Sequence, residues 1–221
     1  MSRTLAAAAL ALAVAPAWRV GAVTLPAVYG DHMVVQRDAP WQLAGTDVPG
    51  ATVTAAFSGS NYKTTADGNG AFSITLPATS GSLPPQSYAV TLTSSAGGAA
   101  ASLNDLVFGD VFLCSGQSNM ELSVIATVNQ SATIAGAGAY GGAIRIVQVG
   151  LEASYVNATT PQTDLTLSIP WGAVSPANLG GMSAMCWFTA KALVDNGGIV
   201  DAPIGLIDSS WGGTPIEVRP L

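Results

Sequence analysis

Leu106-Val107-Phe108-Gly109-Asp110-Val111-Phe112-Leu113-Cys114-Ser115-Gly116-Gln117-Ser118-Asn119-Met120-Glu121 is the stretch on which the reading of the chain turns. A largely apolar run ending at a Ser-Gly step reads as a strand buried on both faces, followed by a turn and then a helix. Two more apolar runs, 143–149 and 203–207, have the same texture. Helical patterns fall between them at 118–130 and 182–196, the second closed by Gly197-Gly198. This alternation predicts an α/β layer fold, and sites in such folds lie beyond the carboxyl ends of the strands. Ser118 and the turn of residues 209–214 both fall at such ends.

Upstream, from 23 to about 104, the signals change to β structure. Short runs at 52–57, 72–76 and 88–93 alternate or carry β-branched residues, and turn clusters at 47–50, 66–70 and 80–87 separate them. That spacing predicts a small antiparallel sandwich. With 49% apolar and 9% charged residues, 25 Gly and 13 Pro, the chain is too apolar for disorder and too broken for a helical bundle. The formal charge of −6 offers no basic footprint, so nucleic acid is excluded as a partner.

Residues 1–22 read as a signal peptide: Arg3, an apolar stretch over 5–15, then small residues that offer cleavage after Ala17 or Ala22. The apolar stretch is too short to span a bilayer and no other run is long enough, so no membrane span is expected. The predicted location is secreted, or lumenal in the secretory pathway, the lysosome included. Asn129-Gln130-Ser131 and Asn157-Ala158-Thr159 are glycosylation sequons, usable only in a eukaryotic secretory pathway. Cys114 and Cys186, the two cysteines, either pair in an oxidising compartment or remain two buried thiols. No His/Cys/Asp cluster has metal-ligand spacing, so neither metal nor cofactor is expected.

Ser118 has two readings. As a nucleophile at a strand-to-helix turn it would have backbone amides aimed at a developing oxyanion. Alternatively, Ser118-Asn119-Met120-Glu121 is a capping box in which the hydroxyl only caps a helix. Met120 stands where a G-x-S-x-G elbow requires glycine, which disfavours an ordinary α/β-hydrolase. Gly212-Gly213 is either a tight turn or a place where backbone amides meet a ligand without an intervening Cβ.

The segment 114–121, together with Ile204-Gly205-Leu206-Ile207-Asp208-Ser209-Ser210-Trp211-Gly212-Gly213-Thr214, resembles the sialate O-acetylesterase family, a branch of the SGNH-type esterases. Tyr29-Gly30-Asp31-His32-Met33-Val34-Val35-Gln36-Arg37 and Met182-Ser183-Ala184-Met185-Cys186-Trp187-Phe188 resemble it too, in the same order along the chain. The resemblance implies an α/β fold with an SGNH-like (flavodoxin-like) three-layer parallel-sheet domain over 105–221, incomplete at its C-terminus and preceded by the β-sandwich of 23–104. It implies a serine esterase removing O-acetyl groups from sialic acids or related sugars, acting on a small-molecule or glycan acetyl ester.

In that family's pattern Ser118 is the nucleophile and Gly213 supplies an oxyanion N–H, with Gln117, Asn119, Trp211, Gly212 and Thr214 around the substrate. The family's Gln-Gly-Glu and Asp-x-x-His segments do not occur up to Leu221, so no catalytic His/Asp pair is expected in this chain. An impaired enzyme with an uncovered sheet edge is the corresponding expectation. The single histidine, His32, reads as a solvated or packed residue of the β module. Asp208 lies near the glycine turn, Arg145 and Arg219 are candidate partners for a substrate carboxylate, and Trp171, Trp187 and Trp211 are candidate sugar-stacking residues. The competing function is a non-catalytic secreted glycan-binding module in which Ser118 is a cap.

Overall fold

The computed structural model describes residues 22–151, 165–199 and 201–214. The expected signal peptide, save Ala22, and the positions of Asn157 and Arg219 lie outside the described residues. Strand β1 (Val34–Gln36) is followed by β2 (Trp41–Thr46), β3 (Thr52–Phe57), β4 (Ser60–Thr65), β5 (Ala71–Leu76) and β6 (Tyr88–Ser94). Then come β7 (Ala101–Cys114), α1 (Ser118–Glu121), α2 (Gln130–Ala135), β8 (Ile144–Val149), β9 (Leu167–Ala173), α3 (Ala184–Asp195) and β10 (Ile204–Asp208).

Period-two burial makes the N-terminal strands. In β5, Phe72, Ile74 and Leu76 are buried while Ala71, Ser73 and Thr75 face solvent, and β3 buries Val53, Ala55 and Phe57. The pair β2–β5 faces the antiparallel β4–β3–β6–β7 run, and their inner faces share one apolar cluster. The β3–β4 hairpin closes through Ser58 and Gly59, both at positive φ, the backbone of a two-residue turn that follows the sheet twist.

β7 joins the two parts of the molecule. Its first half pairs with β6, Val107–Gly109 pairs in parallel with β1, and Asp110–Cys114 pairs in parallel with β10. The boundary expected at 104/105 falls inside this strand, at Asp105, whose φ is 50°. β10 in turn pairs in parallel with β8, and β9 adds antiparallel to β8. Alternate residues of these strands serve two cores. Ile144, Ile146, Ile204 and Leu206 pack with α3, whereas Val147 and Ile207 face the N-terminal cluster. Helices therefore cover one face of the parallel sheet, and the N-terminal module closes the other.

The helix expected over 118–130 is broken. After α1 the chain turns extended at Leu122, whose carbonyl accepts from Ala184, and the Val124 and Ile125 amides donate to Met182 and Gly180. A run of β-branched residues has little intrinsic preference for helix, and the tertiary pairing takes it. Past β1, among the described residues, the outer edge of β7 is met by the Gln36 side chain, which accepts from the Val111 amide, and Phe112 and Leu113 are exposed. No helix among the described residues is long and apolar enough to cross a membrane.

Candidate active site

The site forms where β7 and β10 end side by side. Cys114 is in register with Asp208, and the pairing continues beyond the strands: the Ser209 amide donates to the Cys114 carbonyl at 2.9 Å and the Trp211 amide to the Gly116 carbonyl at 2.8 Å. A third link comes from a side chain. Glu121 Oε2 accepts from the Gly212 N–H at 2.8 Å. Two turns far apart in sequence are thereby held against each other. A Cβ built on Gly212 would lie 3.9 Å from the Ser118 nitrogen.

Ser118 is exposed, and its Oγ donates to Gln117 Oε1 at 3.2 Å. The helix N-cap is Gln117, whose carbonyl receives the Met120 and Glu121 amides, and no side chain caps the helix. The capping box therefore does not form, because Glu121 reaches across to Gly212 instead of back to the first amide. α1 is only 4 residues long, so local amides rather than a long helix dipole set the electrostatics here. Among the described residues, the Ser118 and Gly213 N–H groups have no acceptor. Gly213 sits at φ +76° beside open space, a conformation that favours glycine.

The other expected contact residues divide. Gln117 and Asn119 are exposed beside the hydroxyl, and Trp211 is half-buried with its backbone in the inter-turn bond. The Thr214 hydroxyl closes the turn onto the Trp211 carbonyl at 2.7 Å, so it has a structural task. Trp187 and Trp171 are core residues, the first edge-on to Tyr140 and the second donating from Nε1 to the Val28 carbonyl. Neither is placed to stack on a sugar. Asn129, one sequon asparagine, is exposed and holds the left-handed position before α2.

Beneath the site, Cys114 and Cys186 form a disulfide that ties the end of β7 to α3. Asp208, 1% exposed, is the main polar hub, accepting from the Ser183 amide, Gln148 Nε2, and the Ser210 amide and hydroxyl. Ser183 caps α3 through the Cys186 amide. Sequence reasoning placed Asp208 near the turn but missed Gln148 and Ser183 as its partners. It also read Glu121 as a capping residue; the S-x-x-E spacing carries no sign of a partner 91 positions away.

His32 is elsewhere. It pairs through Nδ1 with Asp105 Oδ2 at 2.8 Å, and Arg145 bonds the same carboxylate at 3.1 Å and the His32 carbonyl. Burial pushes the Asp105 carboxyl up, but hydrogen bonds from His32 and Ser87 and the charge of Arg145 outweigh it and hold the pKa below the ordinary value. Arg145 is thus committed to structure rather than available to a substrate carboxylate. No group of three or more His, Cys, Asp or Glu able to hold a metal occurs among the described residues.

The parallel α/β sheet, with Ser118 exposed at its carboxyl end, is an SGNH-like fold, and the comparisons agree with that fold. The chain is 43% identical to the sialate O-acetylesterase of Rattus norvegicus over 118 residues, and 40% identical to that of Homo sapiens over 121 residues. Each alignment takes in 52% of this chain and 21% or 22% of the relative, so the chain spans about a fifth of the length of the curated relatives it matches. A solved carbohydrate acetylesterase from Xanthomonas citri superposes with a TM-score of 0.74 at 32% identity, over 88% of this chain and 42% of that one. No family model matches. The resemblance to the sialate O-acetylesterases holds, and the fold is the α/β fold of a carbohydrate acetylesterase.

Proposed function

We propose that the chain carries the nucleophile and oxyanion half of a carbohydrate O-acetylesterase. Ser118 Oγ attacks the acetyl carbonyl, the Ser118 and Gly213 amides hold the oxygen as it becomes negative, the sugar hydroxyl leaves, and water releases acetate from the acyl-serine. The supporting observation is that the turn of Ser118 and the turn of Gly213 are held against each other, with the Ser118 hydroxyl exposed and the Ser118 and Gly213 N–H groups without an acceptor among the described residues. Gln117, Asn119 and Trp211 line the approach for the sugar. The proton acceptor is not the chain's one histidine, which sits at the other end of β7. It belongs to the Asp-x-x-His segment that the family resemblance implies. Turnover by these 221 residues alone is correspondingly low, about 10⁴–10⁶-fold below a complete triad. Export to the secretory pathway is part of the proposal, supported by the leader-like residues 1–22.

The relatives' names point to sialic acid. Among the described cations, Arg37, Arg145 and Lys191 are paired to carboxylates and Lys63 lies exposed on β4, while Arg219 falls outside the described residues, so sialic acid and neutral acetylated sugars both stay as candidate substrates. Acetate release from O-acetylated sialic acid and from an acetylated neutral sugar, with external imidazole supplied, tests both points. Release that disappears in Ser118→Ala supports the esterase. Sugar binding with no Ser118-dependent release would support the glycan-binding module instead, a reading favoured by the lack of an imidazole near Ser118 among the described residues.

A further inference from the structure

Among the described residues, Glu121 is the one acidic side chain that crosses between the two turns, and it takes the amide next to the unpaired one. Its Oε2 accepts from the Gly212 N–H at 2.8 Å, while the Gly213 N–H has no acceptor among the described residues. Gly212 is matched to this contact, since a Cβ there would overlap Glu121 Oε2. A Gly-Gly step is the most mobile backbone a turn can have. Such a turn can present an amide at a fixed point only if something restrains it, and a carboxylate accepting from an N–H is among the stronger restraints available.

We propose that Glu121 is a positioning residue: by holding the Gly212 amide it fixes the turn beside Ser118 and leaves the Gly213 N–H free to donate. This rests on the esterase reading above, in which that donor meets the developing oxyanion. A carboxylate left at the site without its amide partner would repel the same oxyanion, so the bond both orients the turn and neutralises part of the charge that Glu121 brings. Misplacing a catalytic group by about 1 Å can cost on the order of 10²-fold in rate, and losing an oxyanion donor costs about 10²–10³ in kcat. The effect should therefore appear in kcat and spare KM.

The test uses the full chain, hydrolysing p-nitrophenyl acetate in imidazole buffer, with amide hydrogen exchange at Gly212 and the melting temperature followed in parallel. Glu121→Ala should lower kcat about 10²-fold, leave KM within about threefold, and expose the Gly212 amide to exchange. Glu121→Gln, whose side-chain carbonyl can accept the same N–H, should restore protection and bring kcat back to within about tenfold. Gly212→Ala breaks the contact from the other side, so the double variant with Glu121→Ala should lose no more than either alone. Unchanged kcat in Glu121→Ala, a fall no different in Glu121→Gln, or additive losses would overturn the proposal, even if Ser118→Ala abolishes turnover and so upholds the esterase. Turnover that survives Ser118→Ala would instead remove the esterase reading itself.

Discussion

At the N-terminal half of β7, His32 and Asp105 stand 2.8 Å apart, an imidazole oriented by a carboxylate; beyond its C-terminal end lies Ser118, exposed and with no imidazole beside it among the described residues. Roughly 30 Å of strand separates the two groups, at about 3.3 Å per residue. Residue types alone would make the first cluster look like machinery, yet it is a clamp. Arg145 bonds the backbone carbonyls of both His32 and Asp105 and so fastens β8 to the N-terminal module. Among the described residues the second end has no His–Asp pair, but it has amides without acceptors, a positive-φ glycine and an exposed hydroxyl. On the esterase reading proposed above, unpaired donors in a held geometry mark a site better than a well-made His–Asp pair.

The largest difference between the ends should appear in turnover. Ser118→Ala should reduce imidazole-assisted hydrolysis of p-nitrophenyl acetate to the rate of imidazole alone, whereas His32→Ala should leave it within about twofold. A loss in His32→Ala would mean that the two ends are joined functionally. Next comes Asp208→Ala, which strands several buried donors at about 1–3 kcal/mol each. Urea unfolding should show a cost on the order of 4 kcal/mol, and a cost under about 1 would mean that Asp208 does not organise the site end. Reducing the Cys114–Cys186 bond opens a link across 72 positions and should cost about 2–4 kcal/mol in the same assay.

The smallest effect belongs to the clamp. Asp105 has a lowered folded-state pKa, so the unfolded chain binds its proton first as pH falls. Its contribution is complete above the ordinary Asp range near about 3.9, and it is lost as pH drops through the lowered value. With the side chain 39% exposed, solvent screening keeps the contribution small. The stability gap between wild type and Asp105→Asn should narrow on acidification; a gap that widens would contradict the sign.

How much of this was legible in the sequence follows the physics of burial. β3, β5, β6, β7, β8, β10 and α3 announce themselves because their apolar residues recur at the right period or run unbroken. β4 does not: Ser60–Thr65 buries no residue, since it is an edge strand held by its hairpin. The break after Glu121 was hidden as well, because it depends on carbonyls and amides at 180–184 that no local window includes. At the site, Ser118 and the glycine turn were visible as residue types at strand ends. Their contact was not, for it rests on Glu121 and on backbone bonds between positions nearly a hundred apart.

The most direct measurement is where a serine-directed fluorophosphonate becomes attached, read by intact mass and peptide mapping with imidazole present. The expected result is a single adduct on the peptide containing Ser118, absent in Ser118→Ala and unaffected in His32→Ala. No adduct, or one that persists when Ser118 is alanine, would contradict the assignment of that hydroxyl as the nucleophile held between the two turns.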